Sequence, residues 1–256
     1  VNEPSYKYNA SDEGLRAFNS SFTSRNGDGT DDPEENFFSI LKLAACCKSG
    51  GNFLDVGSGH GRIVDIVLPY AGHVVALEPD VDRFQSCRNA FTGNSTVDVQ
   101  NVVSSEYKAA NPGKRFDLIT LSMVQQHIST RQSRELLDDV RDLLAPRGIA
   151  VIATTHLRDE TFLYSGRSVP VTVDEFDRYA ENPACQDWGI PVRMFSKKSF
   201  HEAVQRAALE IIVWNQFSYV RSDRMEAIAA LYGVKQDAIH DVGTSQFVAV
   251  SHRRTP

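Results

Sequence analysis

The stretch "FLDVGSGHGRIVDI", Phe53 to Ile66, sets glycines at 57, 59 and 61 directly behind a short apolar run. A strand-to-helix turn built of glycines lets the backbone approach a ligand that any side chain would strike. The spacing excludes two phosphate-binding turns. A dinucleotide fingerprint requires G-x-G-x-x-G, and here the third glycine stands at 61 while Arg62 takes the fingerprint position. A P-loop requires G-K-[ST], which does not follow. Asp55, two residues ahead of the first glycine, would repel a pyrophosphate at the helix N-terminus and would welcome an ammonium. Glu78 closes the next apolar run in "VVALEPD", where a carboxylate can accept both hydroxyls of an unphosphorylated ribose.

A ribose and an ammonium without phosphates describe S-adenosyl-L-methionine. Four blocks, "LDVGSGHG", "ALEPD", "FDLITLSMVQQHI" and "LLAPRGIAVI", follow one another over roughly residues 36–155. In order and spacing they resemble the class I, seven-stranded S-adenosylmethionine-dependent methyltransferases. The resemblance implies that Gly57, Ser58, Gly59 and Gly61 face the methionine part of the cofactor and that Asp55 reaches its amino group. It implies that Glu78 holds the ribose, that Pro79 and Asp80 flank the adenine, and that Ser122 and Met123 lie beside the reactive methyl group. The third-strand block departs from the family pattern, in which an acidic residue often meets the adenine amino group. Here "NVVSSEY" offers Ser104, Ser105 or Glu106 instead. Three shorter matches, "SYKYNASDEGLRAF", "SSEY" and "TSQFVAV", resemble the small-molecule N-methyltransferases of the histamine N-methyltransferase type, and imply an N-terminal lid and a small-molecule acceptor other than histamine.

The elements that must position these residues alternate. Apolar strands "NFLDV", "HVVALE", "TVDVQNVV", "RFDLITLS" and "GIAVIATT" are separated by helical patterns near His60–Tyr70, Val81–Phe91 and Arg131–Leu144. Before them, "EENFFSILKLAACC" has helical spacing, with Cys46 and Cys47 expected to pack as small apolar residues. Pro146, Arg147 and Gly148 are expected to turn the chain into the fifth strand. After residue 195 come a helix capped by Ser196, the strand "LEIIVWNQF", a helix around Arg224–Tyr232 and the strand "SQFVAVSHR". The expected architecture is α/β: a Rossmann-like, mostly parallel seven-stranded sheet with helices on both faces. An N-terminal lid over residues 1–35, with a short helix near Glu13–Phe22, precedes the methyltransferase domain at 36–256. Residues 156–195 break the rhythm and form an insertion after strand five, a substrate cover.

Over 256 residues the charged fraction is 23% and the formal net charge is −6, which favours neither nucleic acid nor an acidic membrane as partner. No apolar run approaches the roughly 20 residues of a membrane span, and the polar start lacks a secretory signal, so the expected location is the cytoplasm. Cys46, Cys47, Cys87 and Cys185 show no zinc spacing, and no metal is expected.

The acceptor surface should come from the N-terminal segment, the turn after strand four and the insertion, because ligands of open parallel sheets bind at strand C-terminal ends. Candidate acceptor-binding residues are Tyr6, Tyr8, Gln125, Gln126, Tyr164 and Trp188, with Phe18 beside them. Aromatics there can cage a cationic amine, or equally anchor the insertion. His127 and His156 are the candidate bases. A neutral amine attacks without prior deprotonation, whereas an oxygen acceptor needs a base or metal, so nitrogen is favoured over oxygen. Protein or RNA methylation and non-catalytic cofactor binding remain the alternatives.

Overall fold

The structure, a computed structural model, describes residues 34–164, 170–182, 190–217 and 245–252. Tyr6, Tyr8, Phe18, Cys185, Trp188, nearly all of the proposed 1–35 lid and the helix expected around Arg224–Tyr232 lie outside the described residues.

Helix α1 (Glu35–Cys47) leads into β1 (Asn52–Val56), the glycine turn and α2 (Arg62–Val67), which tightens into a 3-10 turn at Leu68–Tyr70. Then follow β2 (His73–Leu77), α3 (Val81–Ala90), β3 (Val97–Gln100), α4 (Ser104–Ala110) and β4 (Phe116–Ser122). A 3-10 turn at Gln125–His127 connects β4 to α5 (Thr130–Leu143), which runs directly into β5 (Leu144–Thr155). The insertion contributes β6 (Thr161–Tyr164), α6 (Val173–Glu181) and β7 (Pro191–Met194). Helix α7 (Lys197–Arg206), β8 (Leu209–Phe217) and β9 (Ser245–His252) complete the order.

The main sheet has the order β3-β2-β1-β4-β5-β9-β8, with β9 antiparallel to both neighbours and the other pairs parallel. The chain winds outward from β1 to β3 on one side and from β4 on the other. The switch point therefore falls between β1 and β4, where an open sheet leaves a crevice beyond its strand ends.

Strand alternation sorts the core into two layers. Leu54, Val56 and Leu121 face α4, α5 and α7 through Tyr107, Leu137, Val140, Phe200 and Val204. Phe53, Ala76 and Leu118 face α1, α2 and α3 through Leu41, Ala45, Val64 and Cys87. Phe37 of α1 stacks on Phe217 of β8 with ring centroids 5.0 Å apart, anchoring the helix that precedes the glycine turn. Truncating a core side chain of this size typically costs about 3 to 5 kcal/mol.

Several expectations need correction. Cys46 and Cys47 are exposed, because they fall at the end of α1, past the face that packs through Phe37, Leu41, Ala44 and Ala45. Pro146–Gly148 do not precede strand five. They lie inside β5 as a bulge, since Phe116 pairs with Leu144 while Leu118 pairs with Ile149. The third strand stops at Gln100, and "SSEY" opens a helix in which Glu106 folds back to accept from the Val103 N–H at 3.2 Å. The insertion is more regular than its sequence suggests. It forms an antiparallel pair, Thr161↔Met194 to Tyr164↔Pro191, covered by α6, whose Phe176 packs on Phe162.

Candidate active site

The same alternation places the polar groups of the crevice. Asp55 pairs in register with Thr120 across β1 and β4 and with Ala76 across β1 and β2, so its side chain shares the face of Ala76. By parity, Ser122, two residues beyond Thr120, and Glu78, two beyond Ala76, fall on that face as well. Four polar residues thus converge at the C-terminal ends of three adjacent strands, next to the switch point.

Asp55 is 1% exposed, and its Oδ1 accepts from Thr120 Oγ1 at 2.6 Å. Its Oδ2 is buried with no hydrogen-bond partner among the described residues. Burial, reinforced by the nearby Glu78 and opposed by the Thr120 hydrogen bond and by Arg62, pushes the Asp55 carboxyl up to about 7. A buried, half-satisfied carboxylate is costly unless something cationic meets it. Thr120 is the member of this polar cluster that sequence reading missed. The lone hydroxyl inside the apolar run "FDLITLS" was its signal.

Glu78 organises the glycine turn. Its Oε2 accepts from Gly59 N at 2.8 Å and its Oε1 from Asp80 N at 2.9 Å. Burial raises its pKa, while these two N–H groups pull it down. Each oxygen keeps a further lone pair for a ligand hydroxyl. Asn101 fixes the same corner by donating to the carbonyls of Glu78 and Pro79 at 2.8 and 2.9 Å, and Asp80 caps α3 by accepting from Arg83 N.

The three glycines have different reasons to be glycine, although all adopt positive φ. A Cβ on Gly61 would lie 2.5 Å from Phe91 Cε2 and 3.2 Å from Cys87 Sγ, so this glycine lets α2 pack on α3. A Cβ on Gly57 would strike Val124 of the turn after β4 at 2.4 Å. Only at Gly59 would a Cβ enter open space. Ser58 is buried and turns its hydroxyl toward Cys87 Sγ at 3.8 Å, while the Gly57 and Ser58 N–H groups both donate to Leu77 O.

At the end of β4, Met123 adopts φ 57, a left-handed conformation that is strained for a side chain of this size and recurs at functional sites. Its N–H is held by Ala153 O at 2.9 Å. The Ser122 Oγ and Gln125 Oε1 atoms are buried without a hydrogen-bond partner among the described residues. Gln126 bridges Thr154, from which it accepts at 3.2 Å, and His127 Nε2 at 3.1 Å.

Both nitrogens of His127 are engaged. Nδ1 must donate to Pro191 O at 2.8 Å, which leaves Nε2 to accept from the Gln126 amide. Burial pushes its pKa down to about 4. The imidazole is a neutral tie between the post-β4 turn and β7. His156 is buried at the end of β5, donates through Nδ1 to Phe195 O at 3.3 Å, and meets Trp214 edge-on. Its pKa is also lowered by burial.

Two expected contacts lie elsewhere. Ser104 donates to Asp139 of α5 at 2.7 Å, on the opposite face of the sheet from Asp55, so its hydroxyl is committed to helix packing and not to adenine; Ser105 is on the exposed side of α4. Tyr164 donates to Glu175 O at 3.0 Å and packs on Tyr179, anchoring β6 to α6.

Among the described residues no group of His, Cys, Asp and Glu could hold a metal ion, and no helix is long and apolar enough to cross a membrane. The orphaned Asp55 Oδ2, the opening at Gly59 and the spare lone pairs of Glu78 fit a ligand that carries an ammonium and vicinal hydroxyls.

Comparisons with known proteins agree. The chain matches the methyltransferase-domain family over residues 31–213, well over half its length. No curated protein matches significantly. The N-methyltransferase NodS from Bradyrhizobium japonicum WM9, solved with S-adenosyl-L-homocysteine, is similar with a TM-score of 0.58 at 13% identity, over 95% of this chain and 100% of that one. The 1,6-didemethyltoxoflavin-N1-methyltransferase of Burkholderia thailandensis, solved with 1,6-didemethyltoxoflavin and S-adenosylhomocysteine, gives 0.58 at 16% identity, over 99% and 94%. The [4+2]-cyclase SpnF gives 0.60 at 15% identity over 88% and 86%, so the fold alone does not fix the reaction. With the family match over most of its length, this chain belongs to the class I S-adenosylmethionine-dependent methyltransferases.

Proposed function

We propose that the protein methylates a small molecule at nitrogen, and that its residues contribute placement and exclusion of water in place of an acid or base. The bound cofactor supplies a sulfonium methyl group that is already electrophilic. Asp55 Oδ2 accepts the cofactor ammonium, Glu78 accepts its ribose hydroxyls, and the backbone at Gly59 lies along its methionine part. Ser122 and Met123 border the reacting centre. Gln125 and Gln126 orient the acceptor, and an aligned acceptor is worth several orders of magnitude in rate.

The observation that carries this reading is the tie from His127 Nδ1 to Pro191 O, which holds β7 of the insertion against the turn after β4. An insertion fastened there favours an enclosed acceptor over an open groove for protein or RNA. A histidine near 4 is neutral at physiological pH and too weak a base for an alcohol, whereas a neutral amine needs none before attack. The two similar structures named as N-methyltransferases support nitrogen.

The test is to incubate the protein and S-adenosylmethionine with separate pools of aliphatic amines, N–H heterocycles, phenols and carboxylic acids. S-adenosylhomocysteine formation and the product's site of methylation are then read by mass spectrometry. Transfer to an amine or heterocycle nitrogen is the expected result. Transfer only to oxygen, transfer only to protein or RNA, or none at all would overturn the reading.

A further inference from the structure

The segment Gln125–Thr130 is held by the insertion at both ends. At one end His127 binds Pro191 of β7. At the other, α6 supplies two carboxylates one turn apart, Asp177 and Glu181. Asp177 Oδ1 accepts from Thr130 N at 2.7 Å and Oδ2 accepts from Thr130 Oγ1. Glu181 Oε1 accepts from Ser129 Oγ at 2.7 Å and from Arg131 Nε at 3.2 Å.

These contacts do more than join two surfaces. Ser129 is the N-cap of α5 and Thr130 its first residue. The first N–H groups of a helix have no partner within it, and the partial positive charge there favours carboxylates. Within α5, Ser129 Oγ already accepts from Gln132 N at 3.2 Å, and the Gln132 side chain accepts in return from Ser129 N. The insertion completes the cap from outside. The pairs lie 47 and 52 residues apart in sequence, so they form only when α6 is docked.

We infer that Asp177 and Glu181 are positioning residues for methyl transfer: by capping α5 from the insertion they fix the Gln125–Thr130 segment on which the acceptor is oriented. This rests on the small-molecule reading above. Neither carboxylate acts on cofactor or acceptor directly. Their effect passes through Ser129 and Thr130 to Gln125 and Gln126, whose side chains otherwise lean on Ser133, Thr154 and His127.

The test compares wild type, Asp177→Ala/Glu181→Ala and Asp177→Asn/Glu181→Gln, each saturated with S-adenosylhomocysteine. The amide variant keeps one acceptor oxygen per side chain and serves if the alanine variant folds poorly. Hydrogen exchange at residues 125–130 should quicken in the alanine variant and return toward wild type in the amide variant. Exchange at Asn52–Val56 and cofactor affinity should stay unchanged. With the acceptor found in the pools above, kcat/KM should fall about tenfold or more, as misplacement by a fraction of an ångström to an ångström implies, and recover partly in the amide variant. Unchanged exchange at 125–130, or equal losses in cofactor affinity and acceptor kinetics, would overturn the inference. If no small molecule is methylated by wild type, the proposed function fails while the exchange comparison still decides whether the carboxylates hold the segment.

Discussion

At the β1–β2 end of the crevice, Asp55, Gly59 and Glu78 come from one turn and the strand beside it, and backbone N–H groups of Gly59 and Asp80 already occupy Glu78. At the β4 end, Gln125–Thr130 depends on Pro191, Asp177 and Glu181, which arrive from a separate layer. The first region is assembled by the sheet itself. The second takes its shape from an appended element, which lets one cofactor site serve different acceptors by changing the insertion alone.

Substitutions can break this contrast, and the largest expected effect is at Asp55. Asp55→Asn should weaken S-adenosylmethionine binding by about 3 kcal/mol, because the ammonium loses a buried charged partner. It should also alter the pH dependence of folding. The folded carboxyl titrates near 7, above its ordinary 3.8, so the unfolded chain gives up this proton first and stability falls as pH rises from about 3.8, levelling off above about 7. Between about pH 5 and about pH 8 this lowers wild-type stability by roughly 2 to 3 kcal/mol. Urea unfolding of the Asn variant should lack that component.

The glycines separate packing from binding. Gly61→Ala should lower stability by about 3 kcal/mol, combining positive-φ strain with the Phe91 clash. Gly59→Ala should lower it by only about 1 kcal/mol, from the backbone alone, and should instead impair cofactor binding. Equal stability losses in denaturant titrations would show that Gly59 is a packing residue too. Next in size, Glu78→Ala should weaken cofactor binding by about 2 kcal/mol and quicken amide exchange at Gly59 and Asp80, leaving Gln125–Thr130 untouched.

The smallest effect belongs to the acceptor side. A histidine that titrates near 4 contributes no step to the rate between about pH 5 and about pH 8. His127→Asn should therefore change acceptor KM with cofactor affinity intact. A rate profile whose acid limb near neutrality vanishes in the variant would restore His127 as a base.

The sequence made the two regions unequally legible for the same physical reason. The glycine turn, Asp55 and Glu78 are bound by local geometry: strand parity, a positive-φ turn, a carboxylate at a strand end. Seven alternating strands followed from apolar periodicity, and Ser196 announced its helix by capping. The insertion gave weaker signals. Its capping pair Thr172–Glu175 and the short alternation "PVRM" mark α6 and β7, yet no periodicity states that Asp177 will meet Thr130 or that Pro191 will meet His127. The pattern "TVDVQNVV" overruns the end of β3 at Gln100, which makes the helix-packing Ser104 look like a strand-end residue.

Calorimetric titration of S-adenosylmethionine into wild type and Asp55→Asn from about pH 5 to about pH 8 tests the central claim most directly. The Asp55 carboxyl must lose its proton to meet the ammonium, so wild-type affinity should rise about tenfold per pH unit up to neutrality and then level off. The Asn variant should bind weakly and without that slope. A flat wild-type profile, or equal affinity in the variant, would contradict the assignment of Asp55 to the cofactor.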